Sequence, residues 1–190
     1  MRTVIYQIEF YTYWHTGSGL SGGTDANLTV IKNQLGLPFI PGRTLKGLLR
    51  EAATLLNELD ATLVTKTFIE TVFGVGEDEN THQISKEAMC YFGNAELSQY
   101  LSNSLQAEHK KQLYPVLAST AIDDAGQAAN GSLRQLEVCI PLTLYANIEH
   151  FPSDDANLVQ LEHCMMWVKK LGNSRSRGLG RCAFKFYQVA

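Results

Sequence analysis

The chain has 190 residues, 45% of them hydrophobic, and a formal net charge of −3. That composition excludes a disordered polymer and suits one sizeable core or two small ones. No apolar run approaches the about 20 residues that span a bilayer.

The N-terminal MRTVIYQIEFYTYW alternates like a strand and lacks the apolar h-region of a secretory signal, so a cytoplasmic protein with no membrane partner is expected. Over residues 3–14, Val4, Tyr6, Ile8, Phe10 and Trp14 share one face, interrupted by Thr12. HTGSGLSGGTDAN (His15 to Asn27) is a polar, glycine-rich loop. LPFIPG then leads into a helix from about Thr44 to Leu59, with Leu45, Leu48, Leu49, Ala52, Leu56 and Leu59 on one stripe. Residues 60–87 are mixed and hold the acidic loop GVGEDENTH, followed by a short strand near Met89–Phe92.

Residues 97–113 read as a helix with a thin apolar stripe, and Ala121 to Ser132 as a turn-rich excursion. Leu136, Val138, Ile140, Leu142 and Leu144 alternate as one long strand, with Pro141 marking an edge or a bulge. Leu158, Leu161, Met165 and Val168 carry a second amphipathic helix, ended by Gly172 as a C-cap. RCAFKFYQV is a final strand. Without its insertions the order is strand–helix–strand–strand–helix–strand. That is an α+β, ferredoxin-like (RRM-like) βαββαβ core, with the first and third strands central and adjacent and both helices on one face. The whole of 1–190 reads as a single domain, with insertions near 60–87, 97–118 and 119–134. The open face of such a sheet is a common RNA platform, but the aromatic signature of RNA-recognition motifs is absent.

The net charge hides a segregation. Glu51 to Glu162 holds seventeen carboxylates against five basic residues, whereas His163 to Ala190 has six basic residues and no acid. Phe10 to Arg50 has four basic residues (Lys32, Arg43, Lys46, Arg50) and one acid, Asp25. Such asymmetry points to an anionic partner, most often nucleic acid, with an ordinary solvated surface as the alternative. IPGRTLKGLLREA puts Arg43, Lys46 and Arg50 at a helix start, where acids are normally preferred; an anion bound there would compensate. In LGNSRSRGLGRC, Gly178 and Gly180 free the backbone to approach a ligand, while Arg175 and Arg177 can fork onto phosphate oxygens. The run is neither a Walker loop nor a dinucleotide fingerprint, because it follows a helix and precedes a strand. The cysteines, Cys90, Cys139, Cys164 and Cys182, lack any C-x-x-C pair and read as packed reduced thiols, with a zinc site as the lesser alternative. His82, His109, His150 and His163 show no ligand spacing, and no metal site is expected from them.

The ordered set GLPFIPGRTLKGLLREAA, HTGSGLSGGTDAN, VFG, YFGNAEL, STAIDDAGQAANGSLRQLEVCIPL and SRSRGLGRCAF resembles the RAMP superfamily of CRISPR-associated proteins over residues 4 to 186. The resemblance implies a repeated backbone subunit of a type III effector complex. Such a subunit holds guide RNA, with target RNA, other RAMP subunits and the large subunit as partners, and base pairing supplies the sequence specificity. It implies RNA-binding roles for His15, Gly42, Arg43, Lys46, Arg50, Arg175, Arg177 and Gly178, and makes 121–132 a thumb-like excursion. It also implies that Asp25 is catalytic in Mg2+- or Mn2+-dependent cleavage of target RNA, against the alternative of a turn former. Three readings follow: a guide-holding subunit that cleaves target RNA, a non-cleaving structural RAMP subunit, and an endoribonuclease that processes the guide precursor.

Overall fold

The structure, a computed structural model, describes residues 1–17, 28–76, 85–124, 126–127 and 129–189. Among these residues six strands and five helices follow in the order β1 (Arg2–Phe10), α1 (Gly42–Leu59), α2 (Lys66–Phe73), β2 (Tyr91–Phe92), α3 (Gln99–Ser104), α4 (Ala107–Gln112), β3 (Val116–Ser119), β4 (Arg134–Glu137), β5 (Thr143–Phe151), α5 (Asp155–Trp167) and β6 (Cys182–Val189). Four strands form one antiparallel sheet in the order β2-β5-β1-β6, so β1 and β5, the first and third strands of that sheet along the chain, are central neighbours. The fold is α+β, with α1 and α5 packed side by side against the sheet.

Alternation in β1 does what its pattern dictates. Val4, Tyr6, Ile8 and Phe10 are buried under the helices, as are Leu45, Leu49, Ala52, Ala53 and Leu56 of α1 and Leu161, Cys164 and Met165 of α5. The opposite sheet face carries Gln7, Glu9, Tyr145, Asn147, Glu149 and Tyr187, with Tyr145 and Tyr187 meeting edge to face at 5.1 Å. All four cysteines are buried and unpaired, and burial pushes the Cys90 thiol up to about 11 and those of Cys139, Cys164 and Cys182 to about 12.

Several expectations change in detail. The first strand ends at Phe10 rather than Trp14; Trp14 pairs singly with Cys139 beyond the sheet. The long strand expected over 136–144 is two strands broken at Pro141, which lacks the N–H a continuous ladder needs. β4 pairs with β3 in a separate two-stranded sheet whose connection holds the 121–132 excursion, whereas β5 continues to Phe151 as a central strand. Residues 97–113 hold two short helices instead of one, and Leu59 of α1 is exposed. The mixed segment 60–87 contains α2, capped by the Thr65 hydroxyl and buried through Phe68, Val72 and Phe73. Gly172 is not the cap of α5, which ends at Trp167 with the extended Val168 as its cap. Its φ of +96° and the His15 carbonyl against its Cα give it another duty, the close crossing of two loops.

Candidate functional site

Three stretches far apart in sequence converge at the end of β1. Trp14 anchors the first: its ring stacks on Phe10 at 4.5 Å, its indole N–H donates to the Ile140 carbonyl at 3.0 Å, and its backbone exchanges two hydrogen bonds with Cys139. His15 follows, fully buried, with Nδ1 2.7 Å from the Glu137 carbonyl oxygen. A carbonyl only accepts, so Nδ1 carries the proton and Nε2 presents a lone pair in the neutral ring. Among the described residues neither His15 Nε2 nor the adjacent buried Thr16 Oγ1 has a hydrogen-bond partner. Buried polar atoms without partners are costly, and these two share that state with the Tyr6 hydroxyl in the core.

Both residues line a cleft of about 440 Å³. Arg43, Thr44 and Gly47 of α1 form one wall, and Gly172, Asn173 and Arg175 form another. The second wall is tied down by backbone: Asn173 N–H donates to the His15 carbonyl at 2.8 Å, Gly180 N–H to the Tyr13 carbonyl at 2.8 Å and Leu171 N–H to the Gly180 carbonyl at 2.9 Å. Arg175–Arg177 make one 3-10 turn between Ser174 and Gly178, both left-handed. The basic segments at the two ends of the chain thus share one concave surface through Arg43 and Arg175. Neither makes an ion pair among the described residues.

The remaining basic residues divide. Lys46 and Arg50, about 60° and 20° round α1 from Arg43 and one to two turns further along it, line a different cleft with Lys86 and Cys90. Arg177 is exposed and lines neither. Lys32 is consumed structurally: its ammonium pairs with the Glu137 carboxylate at 2.9 Å and sits 4.0 Å from the centre of the Tyr114 ring. Gly42 is a packing glycine, with its N–H donating to Asn94 Oδ1 at 2.9 Å and its Cα against the Phe92 carbonyl. Gly178, at φ +85°, has open space where a Cβ would stand, so it serves the turn conformation. Asp25 lies outside the described residues.

Sequence reasoning passed over Thr16, Gly47 and Asn173 as cleft residues, and it had Glu137 only as a landmark. Glu137 braces the site: one carboxylate oxygen accepts from Val30 N–H at 2.8 Å and the other from Lys32, while its carbonyl holds His15. Among the described residues no group of three His, Cys, Asp or Glu side chains is placed to hold a metal ion.

The sequence profile of the RAMP superfamily matches residues 7–183. The chain belongs to the RAMP superfamily. The RAMP fold here is similar to that of a chain in the cryo-EM structure of the type III-B Cmr-beta bound to cognate target RNA, with a TM-score of 0.71 at 12% identity over 97% of this chain and 96% of that one. A chain of the type III-B Cmr-beta in the apo state gives a TM-score of 0.71 at 15% identity, over 98% and 97% of the two chains. No curated protein matches the RAMP chain described here.

Proposed function

We propose that this RAMP protein is an RNA-binding subunit of a type III CRISPR effector, holding guide RNA along the cleft between α1 and the Gly172–Arg175 loop. The carrying observation is that two arginines from opposite ends of the chain, neither in an ion pair among the described residues, line one cleft together. RNA supplies what that cleft lacks. Phosphate oxygens suit Arg43 and Arg175, and the first turn of α1 contains no acid to repel them. The β2-β5-β1-β6 order supports a ferredoxin-like core. On its open face Glu9 is already paired with Lys185 at 2.7 Å, whereas Arg43 and Arg175 in the cleft make no ion pair among the described residues, which favours the cleft as the RNA path. The partners are guide and target RNA, further RAMP subunits and a large subunit. The likeness to Cmr-beta chains supports a place in a multi-subunit assembly.

Co-expression with a guide RNA and neighbouring subunits tests this reading. The chain is expected to co-purify with RNA in species larger than a monomer; a monomeric, RNA-free protein under those conditions contradicts it.

Gly47 gives a sharper prediction. It sits inside a helix, where glycine costs about 0.5–1 kcal/mol relative to alanine, and among the described residues nothing stands within 4 Å of its absent Cβ. Gly47→Ala is therefore expected to stabilise the fold by about that amount in urea denaturation while weakening RNA binding, because the methyl enters the cleft.

The cleavage reading extends the proposal and rests on the sequence. Asp25 is the one acid between Phe10 and Arg50, and a lone carboxylate beside phosphates favours proton or metal chemistry over affinity. Mg2+ or Mn2+ would supply Lewis-acid catalysis there. Asp25→Ala in the assembled complex is expected to abolish metal-dependent cleavage of target RNA and leave guide and target binding intact. Undiminished cleavage makes Asp25 a turn former or assigns the cutting to another subunit.

A further inference from the structure

The cleft does not end at Arg175. Arg175, Leu48 and Glu51 also line a second concavity of about 370 Å³, floored by Ala52 and Leu55 of α1 and walled by Trp167 at the end of α5. The two tryptophans of the chain have opposite fates. Trp14 is in the core, whereas Trp167 is 47% exposed and stacks on no other ring among the described residues. Beside its indole stand Lys169, Lys170 and Arg175. Lys170 donates to the Arg175 carbonyl at 3.0 Å and so fixes the loop, while Lys169 and Arg175 make no ion pair among the described residues. Among the described residues Glu51 is the one carboxylate of this lining.

An exposed indole over an aliphatic floor, rimmed by three cations, has the composition of a single-strand nucleic-acid subsite, where bases stack on aromatics and the backbone follows positive charge. An apolar protein segment would use Trp167 and Leu55 and leave the cations unanswered. The concavity is moreover continuous, through Arg175, with the cleft that suits phosphate. We propose that it receives one unpaired nucleotide of single-stranded RNA, with its base stacked on Trp167 above Leu55 and its phosphate toward Lys169 and Arg175. Glu51 there accepts from a base amino group, which favours adenine, cytosine or guanine over uracil. This inference rests on reading the neighbouring cleft as an RNA site.

Indole emission tests it, because a stacked base quenches tryptophan and buried Trp14 supplies an internal background. The full chain is titrated with a single-stranded oligoadenylate about ten nucleotides long, and with an RNA duplex of the same length, whose bases are already stacked. The single strand is expected to quench emission and the duplex to bind without quenching. Trp167→Phe should remove the quenching and retain binding, and Trp167→Ala should weaken single-strand binding about five- to a hundredfold. Urea denaturation of each variant checks that the fold is kept. Binding of the single strand without quenching, and at undiminished affinity in Trp167→Ala, overturns the nucleotide subsite while the RNA reading of the cleft stands. A Trp167→Ala protein with altered self-association and unaltered RNA affinity also overturns it, making the concavity a contact between proteins. Failure of the wild-type chain to bind either RNA removes both the subsite and the reading beneath it.

Discussion

Replacing Arg43 and Arg175 together by alanine is expected to lower affinity for single-stranded RNA about a hundredfold, for all sequences alike. Each arginine lines the cleft without an acidic partner of its own, so its charge is available to a phosphate. A hydrogen bond to a charged group is worth about 1.5–3 kcal/mol, and partial exposure places these contacts at the low end, about tenfold each. Each phosphate contact on a single strand contributes about 0.7 to the slope of log affinity against log salt. The double variant should therefore lose about 1.4 from that slope. The pair Lys46→Ala and Arg50→Ala, in the neighbouring cleft beside Lys86, is the matched comparison. A larger loss there than for Arg43 and Arg175 places the RNA path over the Lys86 side of the helix.

The second large effect is on the fold. Trp14→Ala is expected to cost about 3–5 kcal/mol, as large aromatic truncations in a core do, out of a total that is typically about 5–15 kcal/mol. Trp14 is fully buried and stacked on Phe10, and its indole N–H satisfies the Ile140 carbonyl just before the break at Pro141. Trp14→Phe keeps most of the volume and strands that carbonyl, so about 1–3 kcal/mol is expected from it. Urea midpoints measure both. Because Trp14 immediately precedes His15, the alanine variant should also lose RNA binding before it unfolds globally. A cost below about 1 kcal/mol for Trp14→Ala would show that the site is anchored elsewhere.

How far this was legible in the sequence depends on which force sets each feature. Local periodicity exposed β1 and α1, because Val4, Tyr6, Ile8 and Phe10, and Leu45, Leu49, Ala52 and Leu56, follow one spacing each and bury one face each. It misled at 136–144, where apolar alternation continues across Pro141 although the backbone changes sheets there. α2 escaped because only Phe68, Val72 and Phe73 bury in so short a helix, and what holds them is packing by distant elements. In the site, charge segregation pointed to both walls of the cleft, Arg43 and Arg175. It could not sort Lys46 and Arg50 from Arg43, since the turn of the helix relative to its neighbours is a tertiary fact. Lys32 looked equivalent to them until Glu137, more than a hundred residues away, was seen to hold it. The two orphan polar atoms of His15 and Thr16 exist only in three dimensions, because burial and the absence of a partner have no sequence signature.

The most direct measurement is photo-cross-linking of a guide-length RNA carrying 4-thiouridine to the full-length protein, with the adducts mapped by mass spectrometry. An RNA backbone in the cleft places adducts in the peptides that contain His15 and Thr16, Arg43 to Gly47, and Gly172 to Arg177. Adducts confined to the open sheet face, at Tyr91, Tyr145 and Tyr187, with none in those three peptides, would contradict it.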